Sequence, residues 1–191
     1  MPRRHAPLAR LLVLAVAVLL VGPAVAADGL FNDAGYRIDR YRAPVGAAPA
    51  GVVPVTTDEV RRLRAEGAHL IDTVKLERTQ LAGAPPRWLP NEERMNIPGS
   101  VWLPNVGRGE LDAVEQAYFE RELEDLTGGD VDTPLVFYCK ADCWMSWNAS
   151  KRAAAHGFAR VYWYDGGSDA WRDAGFELVL SEPVPLDPER E

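Results

Sequence analysis

Two cysteines, Cys139 and Cys143, stand four positions apart in the segment Tyr138-Cys139-Lys140-Ala141-Asp142-Cys143-Trp144, and the chain has no others. An ionised thiol is a strong nucleophile, and ionisation is favoured by nearby positive charge and by the amino end of a helix. A tight loop placed before a helix can turn several backbone N–H groups toward one point, where an anion or a thiolate is then stabilised. Lys140 adds a positive charge to this loop, and Asp142 opposes it unless its carboxylate caps the helix instead. If the turn between the cysteines is helical, their Cα atoms lie roughly 6 Å apart, within disulfide range. Such a pair is a dithiol–disulfide switch.

Two other readings of these residues stay open. Cys143 is a small buried residue beside a lone nucleophile, or Cys139, Cys143 and Met145 form a soft ligand set suited to Cu(I). A structural zinc site would need four ligands that the chain does not offer, so the leading reading includes no metal and no cofactor. Trp144 directly follows Cys143 and is expected to wall an apolar pocket over the thiols or to meet a partner protein. Cys139 and Cys143 are therefore the candidate catalytic residues. Lys140, Ala141, Asp142 and Trp144 are the candidate substrate contacts.

The elements that must position this loop can be read around it. PLVFYC (134–139) is a nearly continuous apolar run, as expected for a central strand covered on both faces. Ser146–His156 reads as a helix ended by Gly157, with Ser146 and Asn148 at its start and Lys151-Arg152 on a solvated face. Upstream, Thr56 to Glu59 has the spacing of a capping box opening a helix that Gly67 ends. HLIDT (69–73) is a short buried strand, residues 74–98 a Pro-rich surface loop, and SVWLPNVG (100–107) a second strand. Leu111–Leu126 carries the longest helical periodicity, and its Glu-rich stretch is read as a solvated face. ARVYWY (159–164) is another central strand, residues 165–175 a turn and short helix, and FELVL (176–180) a last strand. Strands alternating with helices imply an α/β domain with a mostly parallel sheet and right-handed crossovers. Ligands bind such sheets at the carboxyl ends of the strands, where Cys139 lies.

At the amino end, Arg3, Arg4 and Arg10 flank the apolar run LLVLAVAVLLVG (11–22), followed by Ala24-Val25-Ala26. This is the pattern of a secretory signal peptide, so the mature protein is expected in the periplasm of a two-membrane bacterium or on the extracellular side. The expected organisation is a signal peptide over 1–26, an extended arm over 27–54, the domain over 55–181 and a polar tail over 182–191. The signal holds three of the 21 Lys+Arg and none of the 28 Asp+Glu, leaving 18 basic against 28 acidic residues, a net charge of −10. That balance argues against a nucleic-acid partner, since phosphate binding needs a basic surface. No second apolar run reaches the ~18 residues of a membrane span, so no membrane association is expected after cleavage. Tyr36-Arg37 and Tyr41-Arg42 repeat a pair within the arm, which is expected to pack over the domain; the alternative is that an arginine reaches an anionic site.

From about Thr56 to Leu180 the sequence resembles a single rhodanese-type sulfurtransferase domain. The resemblance rests on HLIDT with Asp72, NIPGSVWLP (96–104), PLVFYC with its loop and helix, and Gly157-Phe158-Ala159-Arg160-Val161-Tyr162 leading to Asp165-Gly166-Gly167 and Trp171. More narrowly, CKADCW with MSWNASKRA and the upstream GYRIDRYRAPV resemble a periplasmic subgroup. That subgroup is named for a Cys–Cys–Trp motif and associated with pyrroloquinoline-quinone-dependent catabolism. The resemblance implies a rhodanese-like fold and a Cys139 persulfide; with the paired spacing, Cys143 then attacks Cys139, sulfide leaves, and a 139–143 disulfide remains. It also implies a small sulfur-containing anion or a partner-protein thiol as substrate, and a periplasmic dehydrogenase or cytochrome as partner. The chain departs from the family pattern in four ways: Asn96 where His is usual, Thr73-Val74 where Arg often follows the strand Asp, Trp144 where many members place an anion-binding Arg, and a stretch from Cys139 to Gly157 one residue longer than usual. With Asp142 inside it and no closing Arg, the loop is a poor thiosulfate cradle. The alternatives are a periplasmic thiol-redox or Cu(I)-handling accessory and a binding module that has lost catalysis.

Overall fold

The computed structural model describes residues 29–79, 82–89 and 93–186; the expected signal peptide and the end of the polar tail lie outside the described residues. Among those described, no helix is long and apolar enough to cross a membrane. In chain order the elements are β1 (Val52–Pro54), α1 (Thr57–Ala65), β2 (His69–Asp72), β3 (Glu77–Thr79), β4 (Arg87–Leu89), β5 (Arg94–Asn96), β6 (Val101–Trp102), α2 (Ala113–Thr127), β7 (Leu135–Tyr138), α3 (Trp144–Ala155), β8 (Val161–Tyr164), α4 (Gly167–Asp173) and β9 (Val179–Ser181). Five strands form one parallel sheet in the order β1-β8-β7-β2-β6. The carboxyl ends of β2, β7 and β8 therefore lie side by side, and bring Asp72, Cys139 and Asp165 to one edge of the sheet.

Strand β7 sits at the centre and all four of its residues are buried. Leu135 and Phe137 pack with Tyr118 and Phe119 of α2 and Ala149 and Ala153 of α3. Val136 and Tyr138 point the other way and pack with Val60 and Leu63 of α1 and Trp171 of α4. This two-residue alternation is why the strand reads as a continuous apolar run. Burying each such large side chain is worth about 1.5–3 kcal/mol relative to leaving it exposed.

Helix α1 opens at Thr56 with both hydrogen bonds of the capping box, as the spacing requires. Asp112 caps α2 by accepting from the Glu115 N–H, and Gly128 closes that helix in the left-handed conformation. The Pro-rich stretch expected as loop also contains strands. β3 and β4 form an antiparallel hairpin, and β5 pairs with β9 in a second two-stranded sheet. The expected last strand thus joins β5 instead of extending the main sheet. The arm also ends sooner than residue 54, because Val52–Pro54 forms the edge strand beside β8. These differences share a cause: strands of three residues carry too little pattern to register, and partners far away in sequence stabilise them.

The rest of the arm is docked, not free. Asn148 of α3 accepts the Arg37 N–H and donates to the Arg37 and Gly107 carbonyls. Lys151 donates to the Ala34 and Gly35 carbonyls, and the Trp147 indole donates to the Ala47 carbonyl. Arg152 is buried and donates to the Val106 and Arg108 carbonyls. Lys151-Arg152 is therefore a docking pair and not a solvated face. Nor is the Glu-rich face of α2 wholly solvated, since Glu115 is buried and accepts from Asn105 and Arg108.

Candidate functional site

Cys139 follows β7 directly, and α3 begins at Trp144 with Cys143 as its N-cap. Between them the chain turns tightly: the Cys143 N–H donates to the Lys140 carbonyl, and Asp142 adopts φ 58°. Asp tolerates this left-handed conformation better than bulky or β-branched residues do. The Cα atoms of Cys139 and Cys143 are 5.9 Å apart and their sulfurs are joined in a disulfide. The helix therefore starts two residues earlier than Ser146, and its first turn is capped neither by Asp142 nor by Ser146. Ser146 instead donates to the Cys143 carbonyl and accepts from the Trp163 indole, which braces the loop on β8. Asn148 serves the arm.

The loop is also braced from α4. The Ser168 N–H donates to the Cys139 carbonyl at 2.9 Å. Gly167 lies at φ +55° so close to that carbonyl that no side chain would fit. The carbonyl is thus held by a neighbouring element, and the Cys139 backbone cannot swing without moving α4.

The sulfur atoms are enclosed. Cys139 is 0% and Cys143 1% exposed, packed with Val74, Trp144, Met145 and Val45. An outward-facing Cys139 sulfur at an open cup of amides is the sequence-based expectation, and this bridged state differs from it in two ways. The bridge draws Cys143 over Cys139 and sets Trp144 against both. Two loop amides are already engaged: Cys143 N–H with Lys140, and Ala141 N–H with the Asp169 carboxylate at 3.1 Å. Trp144 meets Tyr41 of the arm edge to face, at 6.3 Å between ring centroids. A cleft of about 810 Å³ opens beside this ring pair, lined by Tyr41, Lys75, Arg78, Arg108, Trp144 and Met145 among others. The Trp144 indole N–H is buried without a hydrogen-bond partner among the described residues.

Two ion pairs that no spacing in the sequence reveals stand beside the loop. Arg94 of β5 donates to Asp72 at 2.6 Å and to Ser168 at 3.1 Å. Asp72 also accepts the Val74 N–H. Burial pushes the Asp72 carboxyl above its ordinary value, while Arg94, the Val74 N–H and Lys140 pull it down. The arginine that is absent after Asp72 in sequence is thus matched by one arriving from 22 positions away. The second pair is Arg42 with Asp169 at 2.9 Å; the same guanidinium donates through Nε to the Ala141 carbonyl. These two contacts tie the arm to the domain at the loop. Asp142 lies near Asp165, whose carboxyl is pushed up by burial and by that neighbouring negative charge. Lys140 is half-buried and Asp142 exposed at the loop's outer face.

Among the described residues no three His, Cys, Asp or Glu side chains gather as a metal-ligand set. With both sulfurs in the bridge, neither is a thiolate ligand in this state.

A model of the rhodanese-like domain matches residues 56–174. No curated protein matches the chain. Among solved structures, the chain is similar to the polysulfide-sulfur transferase homodimer of Wolinella succinogenes: 20% identity, TM-score 0.44, covering 68% of this chain and 80% of that one. It is similar to an uncharacterised protein of Saccharomyces cerevisiae at 19% identity and a TM-score of 0.40, covering 65% of this chain and 93% of that one. A thiosulfate sulfurtransferase of Pseudomonas aeruginosa matches at 15% identity and a TM-score of 0.45, over 69% of this chain but 21% of its own.

Proposed function

The chain belongs to the rhodanese-like domain family, and from that premise we propose that it carries sulfane sulfur as a Cys139 persulfide, or exchanges a Cys139–Cys143 disulfide with a partner thiol. We place this activity in the periplasm, after removal of the leader, in support of quinone-dependent oxidation by a dehydrogenase or its cytochrome partner. The observation that carries the chemistry is the pairing of the two sulfurs across one tight turn, at the carboxyl end of the central strand and the amino end of α3. The helix end favours the thiolate over the thiol at this place.

The cycle balances as follows. The Cys139 thiolate attacks the outer sulfur of an organic persulfide; the donor S–S bond breaks, the donor thiolate leaves, and Cys139 becomes the persulfide. The Cys143 thiolate then attacks the inner sulfur, hydrosulfide leaves with the electron pair, and the 139–143 disulfide forms. A partner dithiol reduces the disulfide and is itself oxidised. Run without a sulfur donor, the last step and its reverse are dithiol–disulfide exchange. Each turnover requires the packing of Trp144 over the bridge to open, and Tyr41 of the arm rests on that ring.

Intact-mass measurement tests the reading. After reduction and exposure to an organic persulfide, Cys143→Ser is expected to gain one sulfur atom and keep it. Wild type is expected to release hydrosulfide and return to the disulfide mass. Cys139→Ser is expected to gain nothing. If no donor adds sulfur to Cys143→Ser, the carrier reading falls and disulfide exchange remains. Export is tested by the mature amino terminus recovered from the periplasm of an expressing host, expected at Ala27.

A further inference from the structure

The contacts of Asp169 bear on which donors can reach Cys139, on the premise that Cys139 is the reactive thiol. One oxygen of this carboxylate, Oδ2, accepts the backbone N–H of Ala141 at 3.1 Å and lies 2.9 Å from the Arg42 guanidinium. Arg42 is aimed at the loop by a second bond, from its Nε to the Ala141 carbonyl at 3.1 Å. The other oxygen, Oδ1, lies 3.6 Å from Arg172. A loop amide paired with a guanidinium is what an oxyanion arriving at this loop would use. Here a carboxylate of the protein already occupies both. The carboxylate is tethered two residues from Gly167, which lies against the Cys139 carbonyl, so it competes for those donors at high effective concentration. Asp142, next to Ala141 in the loop, lies near Asp165, so two further carboxyl groups stand beside the loop with Lys140.

We infer that Asp169 is a specificity-determining residue: it fills the anion position of the 139–143 loop and turns away multiply charged oxyanion donors such as thiosulfate. The sulfur donor is then an organic persulfide, small or protein-borne, whose sulfur end carries at most one charge. The reaction at Cys139 is unchanged; what Asp169 sets is the charge of the reagent that can approach it.

A pair of alkylating reagents reads this without any sulfur donor. Iodoacetate and iodoacetamide both alkylate the thiolate by displacing iodide, and they differ in charge. Any change in the Cys139 thiol pKa caused by a mutation cancels in the ratio of their rates. Measured on reduced Cys143→Ser, so that Cys139 alone reacts, iodoacetate is expected to be disfavoured relative to a free cysteine. Asp169→Asn keeps the shape and can still accept from Ala141 but lacks the charge. It is expected to raise the iodoacetate-to-iodoacetamide ratio by about tenfold, the scale of one nearby charge on a charged reagent. Arg42→Gln removes the opposing cation and is expected to lower the ratio. An unchanged ratio in Asp169→Asn overturns the inference, and so does a ratio in the parent equal to that of free cysteine. Loss of sulfur loading with the ratio still shifted by Asp169→Asn would instead remove the carrier reading and leave the charge gate standing.

Discussion

At the scale of single residues, the site is set by groups whose partners are strictly required. Asp72 is fully buried, and its carboxylate is matched by Arg94 and the Val74 N–H. Breaking a buried pair by removing one member leaves an uncompensated charge, which costs about 3–5 kcal/mol. Arg94→Met is expected to lose that much at neutral pH, measured by urea unfolding. Burial raises the folded-state pKa of Asp72 above its unfolded value against the pull of Arg94, and without Arg94 it rises further, so the charged carboxyl is the form that Arg94 supports. The loss should therefore be largest near pH 7 and shrink as pH falls toward that raised value. A loss that grows on acidification would contradict this account of Asp72. Asp72→Asn added to Arg94→Met should restore much of the stability, because the amide needs no counter-charge.

Elements are held by caps and cross-element bonds that can be tested one at a time. Asp112 caps α2 and pairs with Arg78 of β3, so one carboxylate fixes a helix start to the hairpin. The Arg78 guanidinium, chiefly, holds the Asp112 carboxyl down to about 2, with burial opposing and the Glu115 N–H adding to it. A depressed acid stabilises above its unfolded pKa and loses that contribution as pH falls through its folded pKa. Asp112→Ala is expected to cost about 1 kcal/mol at pH 7 for the lost cap. The half-exposed ion pair adds little beyond this. The difference from wild type should fade between about pH 4 and pH 2 in thermal melts. Helix α3 carries a different load, since Asn148 satisfies three arm and loop backbone groups at once. Asn148→Ala leaves those groups unpaired and should loosen the arm. Trypsin, which cuts after arginine, is expected to cleave at Arg40 and Arg42 faster than in wild type, with the domain over 56–174 surviving.

Across the whole molecule, the disulfide is a chemical feature more than a staple. It closes a five-residue loop, and in the chain-entropy model so short a loop is worth about 2 kcal/mol. The loop is independently held by the Ser168 bond to Cys139 and by Ser146 and Trp163. Reduction is expected to lower the melting temperature by about 4–8 °C while leaving one cooperative transition, checked by calorimetry with and without a dithiol reductant. A reduced protein that unfolds outright would mean that the bridge is structural and the thiols are not a working pair. The arm makes the molecule larger than its domain. Tyr41 leans on Trp144 and Arg42 on Ala141, so a segment outside the family match covers the site.

What could be read from the amino-acid order alone was whatever depends on near neighbours. A nearly continuous apolar run marks β7, the Thr56–Glu59 spacing marks the start of α1, and a strand, a tight turn and a helix place Cys139 and Cys143 within bonding reach of each other. Those features persist in the folded molecule because backbone geometry over a few residues dictates them. Tertiary structure alone decided that Arg94 meets Asp72, that Asp169 takes the Ala141 amide, that Lys151 and Arg152 anchor the arm, and that both sulfurs lie sealed under Trp144. Each of these joins groups distant along the chain, through contacts that carry no periodicity. Their pairing follows from which buried charges and backbone groups must find partners once the sheet has brought them together.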